Sequence, residues 1–440
     1  MSALARHFNQ LGIAVSGYDK TSTVLSKELE AEGIRIHYED NVDLIDKDAN
    51  LVVYTPAIPS DHKEYNYFKN NNYEVVKRSD VLKLLSAEGF NVCVAGTHGK
   101  TTISTMVAHI LRHSGLGCTA ILGGISVNYN TNYWKGDNNI FVIEADEYDR
   151  SFLKLYPNIA SISAMDADHL DIYGTAEAVE EAFIDFSKNI KEGGLLISKH
   201  GLKRGKDLQA SRSQTYSLYD ESTDFYTKDL KIKDGGYCFT VVCNGKDLGE
   251  YQLNIGGMHN VENSLVAIAI ANELNITPHQ CIDAISSFKG VKRRFEYIIR
   301  NEEHGKIYID DYAHHPEELK ALISSAKSLF PDRNCMVIFQ PHLFSRTQDL
   351  AKEFAEALDL ADRVILLPIY PARELPIPGI TSEIILNKMS IGKKWIMSKE
   401  ELLEWMKIDV ATKNVLYITA GAGDIDSLIE PLKNIISSLN

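Results

Sequence analysis

Apolar residues along this chain recur in two alternating rhythms. Met1, Leu4, Phe8 and Leu11 lie three or four positions apart, which predicts an opening helix. Short apolar runs bounded by polar or turn-forming residues follow at GIAVSGYD, IRIHY, NLVVYTPAIP and YEVVKRS, and these read as strands. A second series of strands begins at FNVCVAGTHGK and continues through NIFVIEADE, NIASISAMDADH and GGLLISKH. From about Tyr216 to Ile255 the pattern becomes β-rich, with DGGY and CNGKD as turns. Two helices are expected next, over 260–275 and 278–288. Beyond KGVKRR comes a third series: KIYIDDY, CMVIFQPH, DRVILLPIY and NVLYITAGAGD. Strands alternating with helices predict parallel sheets. The expected fold class is therefore α/β, in three domains spanning residues 1–88, 89–291 and 292–440.

The first domain reads as a Rossmann-like unit entered late. In such units an acidic residue ends the second strand, ~20 residues after a glycine-rich turn. Asp19 stands in that place, so the first strand and its turn are expected upstream of Met1.

Composition narrows the function classes. The chain has 440 residues, 44% of them hydrophobic and 24% charged, as in an ordinary globular protein of about three domains. A net charge of −14 without a long basic cluster argues against nucleic acid as a main partner. No apolar run approaches the ~20 residues of a membrane span. Residues 1–15 lack the apolar block of a signal peptide. The six cysteines form no C-x-x-C pair and read as buried thiols in a reducing cytoplasm.

The stretch VAGTHGKTT, residues 94–102, carries the chemistry. It joins a strand to a helix, where backbone N–H groups and the helix dipole favour phosphate. Gly96 and Gly99 let the backbone approach phosphate oxygens, Lys100 supplies positive charge, and the Thr101 hydroxyl can ligate magnesium. The spacing is shorter than that of the standard G-x-x-x-x-G-K-[ST] loop. Acidic clusters end the next two strands: Glu144, Asp146, Glu147 and Asp149, then Asp166, Asp168, His169 and Asp171. Ligands of open parallel sheets bind at the carboxyl ends of strands, so both clusters should converge on the loop.

GTHGKTT, EADEYDRSF and DADHLDIY together resemble the central domain of the Mur ligases, the ATP-dependent enzymes of peptidoglycan precursor synthesis. The resemblance extends through GGMHNVENSLVAIA, GVKRRFE, DDYAHHPEE, QPHLFSRT, YPARE and GAGD, nearly the whole chain. It implies an N-terminal UDP-sugar domain, a central P-loop-like ATP-binding domain and a C-terminal Rossmann-like domain. Among these ligases the motifs most resemble those of members that join L-alanine to UDP-N-acetylmuramate through an acyl phosphate. By this resemblance Gly96, Thr97, His98, Gly99, Lys100, Thr101 and Thr102 bind ATP, and Thr101, Glu144 and His169 hold magnesium. Asn260 and Asn263 match adenine-contacting positions, while Arg294 and Asp311 match groups that reach ATP from the third domain. His314, His342 and Arg346 match the amino-acid pocket, and Asp19 lies on the UDP-sugar side. Lys100, His169, Arg294, His314 and Arg346 are the residues expected to act in catalysis.

Three positions depart from the family pattern. Leu343 follows the histidine of QPH where many relatives carry arginine. Ile184 stands where sister ligases place a modified lysine, and the N-terminal glycine loop is absent. Two other readings share the motifs: a ligase recycling murein tripeptide, and an N-terminally shortened chain that binds ATP without ligating. A regulatory GTPase is disfavoured, because no N-K-x-D guanine motif is present. Folylpolyglutamate synthetase shares the loop but lacks a UDP-sugar domain.

Overall fold

The computed structural model describes residues 1–56, 58–167, 170–301, 305–372, 374–409 and 414–438. The chain forms two compact units. The first comprises Met1–Lys228, Thr240–Tyr251 and Glu262–Ile285, and the second Asp229–Phe239, Gln252–Val261 and Ser286–Asn440.

In the first unit the expected opening helix spans Ser2–Gln10. The parallel strands after it pair two and two: Ser16–Tyr18 with Arg35–His37, and Val52–Tyr54 with Val75–Lys77. The helix is anchored by polar as well as apolar contacts. Arg6, only 3% exposed, binds Glu32 at 2.7 Å and the Asn132 amide oxygen at 2.9 Å. His7 Nδ1 lies 2.8 Å from the Tyr133 hydroxyl. A buried guanidinium is tolerated because charged partners replace its water.

The large sheet carries the phosphate loop. Phe90–Ala95 lies between Ile140–Glu144 and Ile159–Ile162, parallel to both. Leu195–Lys199 and Arg212–Tyr216 extend the sheet on one side, followed by the β-rich insert at 225–253. On the other side stand Thr119–Ser126 and the antiparallel edge strand Thr131–Trp134. Sequence periodicity misses Thr119–Ser126 because Gly123 and Gly124 interrupt its apolar run. The helix Lys100–His113 is buried from Thr101 through Leu111, so it packs as a core element rather than an amphipathic surface helix. Its Thr105 hydroxyl is satisfied by the Thr101 carbonyl at 2.7 Å.

The second unit centres on a six-stranded sheet in the order 296–301, 306–311, 415–420, 334–339, 363–366, 394–396. The first pair is antiparallel and the other pairs are parallel. Near-continuous apolar runs such as Val415–Ala420 and Asn334–Phe339 fit strands covered on both faces. All six cysteines are buried, and none forms a disulfide among the described residues. Among the described residues no helix is long and apolar enough to cross a membrane.

Candidate active site

Strand register assembles the first cluster. Val94 pairs with Glu144 on one neighbour and Ala95 with Ile162 on the other, so three loops leave the sheet at one level. Gly96 turns the chain at φ +134°, where a Cβ would lie 2.2 Å from Ser163 Oγ. The Ser163 hydroxyl donates to the His98 carbonyl, and Thr97 Oγ1 accepts the Asp166 N–H at 3.2 Å. Gly99, at φ +83°, caps the following helix, and a Cβ there would meet Asn263 Oδ1 at 2.6 Å. Both glycines are thus required by conformation and by close approach. His98 and Asp166 make a 3.4 Å pair that is largely exposed and contributes little.

The charged groups of the loop are already partnered inside the protein. Lys100 Nζ lies 2.7 Å from Glu147 Oε1 and donates to the Gly96 carbonyl at 2.8 Å. The Lys100 side chain is 14% exposed and that of Glu147 only 1%. Burial pushes the Glu147 carboxyl upward from its ordinary value, although Lys100 pulls it down. The Lys100 ammonium thus neutralises a buried acid. The Thr101 hydroxyl donates to Glu144 Oε1 at 3.0 Å, and the Gly123 N–H donates to Oε2 at 3.0 Å. A Cβ at Gly123 would lie 2.3 Å from that carboxylate, which explains the glycine that obscured this strand. Thr102 is 6% exposed and sits in the helix core.

The acids of EADEYD divide their work. Asp146 Oδ1 accepts the Tyr148 N–H at 3.1 Å, and Asp149, held at φ +51°, pairs with Lys77 at 3.2 Å. Sequence reasoning placed Glu147 in the acidic cluster at the strand end without pairing it with Lys100, and it missed Ser163. Asp168 and His169 lie outside the described residues. Among the described residues no group of three or more His, Cys, Asp or Glu side chains could hold a metal ion. Thr101 and Glu144 nonetheless present hard oxygen donors side by side, the donor type that magnesium takes.

Asn260 and Asn263 both lie on the helix Met258–Glu273. The Asn260 amide donates to the Gly256 carbonyl at 2.7 Å, and Asn263 packs on Gly99 as described. Asp19 follows the strand Ser16–Tyr18, exposed, with its carboxylate accepting the Thr21 N–H at 3.2 Å.

In the second unit, register aligns the strand ends at Asp311, Ala420, Phe339 and Leu366. Asp311 accepts the N–H groups of Phe295 and Ala313, each at 2.7 Å, and burial raises it to about 6. Burial likewise lifts Asp310 to about 7, against the pull of Arg293 at 3.4 Å and of Thr419. Arg293, not singled out by the sequence, also donates to the Gly421 carbonyl and lies over the Tyr312 ring. Arg294 acts on Asp311 through its charge.

His314, His342 and Arg346 gather in one cluster. The two imidazoles stand edge to face with centroids 5.9 Å apart, and His342 stacks on Tyr370 at 5.8 Å. Burial, with His314 and Arg346 nearby, lowers His342 to about 4. His342 Nδ1 and Arg346 Nη1 are buried without a hydrogen-bond partner among the described residues. Leu343, at φ +71°, leads into the helix Phe344–Asp349 that carries Arg346. No side chain of that turn caps it locally; Glu374 does so from a distant loop, accepting the Ser345 N–H at 3.0 Å and the Ser345 hydroxyl.

Comparison with known proteins gives a consistent result. Residues 1–89 match the model of the Mur ligase family catalytic domain, 94–271 the Mur ligase middle domain, and 293–423 the Mur ligase glutamate ligase domain. The UDP-N-acetylmuramate–L-alanine ligase of Cytophaga hutchinsonii is 46% identical, over 98% of this chain and 94% of its own. That of Flavobacterium johnsoniae is 43% identical, over 99% and 95%. The solved UDP-N-acetylmuramate–alanine ligase of Thermotoga maritima superposes with a TM-score of 0.85 at 29% identity, covering 100% of this chain and 96% of that one. A murein peptide ligase from Psychrobacter arcticus reaches a TM-score of 0.68 at 24% identity, over 100% and 97%, a likeness of fold alone. With three domain models matched in order and such relatives along nearly its full length, the chain belongs to the Mur ligase family.

Proposed function

We propose that this protein is an ATP-dependent ligase that joins L-alanine to UDP-N-acetylmuramate through an acyl phosphate, in cytoplasmic peptidoglycan precursor synthesis. The observation that carries the reading is the pairing of Lys100 with Glu147 and of Thr101 with Glu144, two acids at the end of the neighbouring strand, beside a helix N-terminus. Full-length similarity to ligases named for these two substrates supports the choice. The proposed domain limits remain 1–88, 89–291 and 292–440.

A carboxylate acylates poorly, so it must first be phosphorylated, and that step brings two anions together. Lys100 and Arg294 are proposed to offset this charge, with loop residues 96–102 cradling the phosphates. Thr101, Glu144 and His169 would hold magnesium, which when bound supplies further positive charge at the phosphates. Asn260 and Asn263 are assigned to the adenine side, Asp311 to the ATP-facing turn of the third domain, and Asp19 to the UDP-sugar. Arg346 would bind the alanine carboxylate in a bidentate fork, with His314 and His342 completing the pocket. The two buried polar atoms without partners in that cluster support a polar ligand there.

The test is phosphate release from ATP with magnesium and UDP-N-acetylmuramate, with and without L-alanine. Alanine-dependent release with formation of the amide is expected, and its absence overturns the reading. Murein tripeptide in place of alanine tests the recycling activity, and ATP binding without any ligation would point to the non-ligating reading.

A further inference from the structure

The proposed reaction leaves one proton unassigned. L-alanine arrives at neutral pH almost wholly as an ammonium ion, which has no lone pair with which to attack. A base must therefore stand where the amino acid binds. In an α-amino acid the nitrogen is two bonds from the carboxylate carbon, so a carboxylate on Arg346 brings the ammonium into the His314–His342 cluster.

The two histidines are not equivalent. His342 is stacked on Tyr370, and its Nδ1 is buried without a partner among the described residues. Among the described residues no carboxylate hydrogen-bonds either of its nitrogens, and the charge of Glu374 only partly offsets burial, His314 and Arg346, so an imidazolium there would be poorly compensated. His314 differs on each count. Its Nδ1 lies 3.0 Å from the Tyr312 carbonyl and 3.4 Å from Glu318 Oε2. Both oxygens can only accept, so Nδ1 must carry the proton, and the neutral ring presents its lone pair at Nε2. No described residue bonds Nε2. Glu318 is itself fixed, accepting the N–H groups of His314 and His315 at 2.9 and 3.0 Å at the start of the helix Pro316–Leu329.

Resting on the proposed ligase reading, we infer that His314 is the general base for the incoming amino acid and that Glu318 is the positioning residue that holds its tautomer. The ammonium N–H bond breaks, its electron pair stays on nitrogen, and the proton passes to His314 Nε2. The amine then attacks the acyl carbon, the C–N bond forms and the C–O bond to phosphate breaks. The second proton leaves with the departing phosphate or to water. The imidazolium is offset by the Glu318 carboxylate. Burial, Arg346 and His315 hold the His314 pKa down, while Glu318 and the Tyr312 carbonyl raise it, so the ring is kept neutral and ready. His342 faces it edge-on, and the Tyr312 ring stands 5.3 Å away.

The test compares two nucleophiles in the full chain. Hydroxylamine is largely unprotonated at neutral pH, so it can trap an acyl phosphate without a base. His314→Gln is expected to lower kcat/KM for alanine by ~10²–10⁴ at pH 7, a far larger loss than it causes in hydroxylamine-dependent phosphate release. Its alanine profile should keep rising with pH toward the amine's own pKa, where wild type levels off. Glu318→Gln keeps an acceptor for the two N–H groups but removes the charge, and should move the acid limb of the wild-type profile to lower pH. An equal loss with both nucleophiles, an unchanged profile in His314→Gln, or an unmoved limb in Glu318→Gln would overturn the assignment. Failure of the ligase reading is distinguishable, because wild type would then release no phosphate with either nucleophile.

Discussion

The phosphate loop and the His314–His342–Arg346 cluster solve opposite electrostatic problems. At the loop each charged group already has an internal partner: Lys100 on Glu147, and Glu144 on Thr101 and Gly123. In the second cluster Arg346 Nη1 and His342 Nδ1 are buried with no described partner. A strongly anionic ligand such as ATP can compete with one buried carboxylate for an ammonium. A small zwitterion cannot, so its pocket gains by leaving a guanidinium unmatched. The first site is neutralised until its ligand arrives, whereas the second keeps its polar atoms in reserve.

The hardest test of this contrast is Lys100→Ala. Losing one electrostatic group of this kind lowers turnover ~10²–10³-fold. It also strands Glu147, and breaking a buried pair costs ~3–5 kcal/mol, so the melting temperature should fall too. Adding Glu147→Gln should restore the melting temperature but not turnover. Thermal melts and phosphate-release assays on both variants decide the point, and an unaltered melting temperature in Lys100→Ala would show that the pair contributes nothing to the fold.

Arg346→Ala comes next. A lost charge-assisted pair weakens binding roughly tenfold to a hundredfold, so the alanine KM should rise by that factor while the ATP KM stays within about twofold. Parallel movement of both KM values would remove Arg346 from the amino-acid pocket. Glu374→Ala should act in the same direction but less, raising the alanine KM roughly threefold to tenfold, because it frees the turn that presents Arg346. Ser345→Ala should reproduce part of that effect, and steady-state kinetics with varied alanine measure both.

The smallest effect concerns pH. Asp310 is raised to about 7 in the folded protein against ~3.9 unfolded. The unfolded chain thus binds fewer protons at this site between those values, so its contribution to stability is full near pH 4 and is lost as pH rises through 7. Asp310→Asn should flatten the stability of the second unit across pH 5 to 7.5 relative to wild type. Melts at several pH values check this, and parallel curves would show that Asp310 does not carry the dependence.

How much was legible depended on whether the determinant was local. GTHGKTT announces a strand, a tight turn and a helix because glycine, lysine and threonine at that spacing have few other uses. EADEYD likewise announced an acidic strand end. Which acid meets which partner was not legible, since Glu144 and Glu147 are separated from Thr101 and Lys100 by more than forty residues. Arg294 attracted notice through its motif, yet its neighbour Arg293 makes the bonds to Asp310 and Gly421. Adjacent residues in an irregular turn point in directions that no periodicity predicts.

By itself, then, the sequence determined most of the strands, the α/β class and the phosphate loop, because each follows from the spacing of nearby residues. Only the tertiary structure decided that Glu147 neutralises Lys100 and that Gly123 exists to admit Glu144. It also decided that Glu374 caps the turn of Arg346 and that Glu318 and a carbonyl orient His314. The physical reason is that hydrogen bonds and ion pairs act over a few ångströms of space. Register at the strand ends brings distant stretches of chain within that range, and register is set by packing across whole sheets rather than by local pattern.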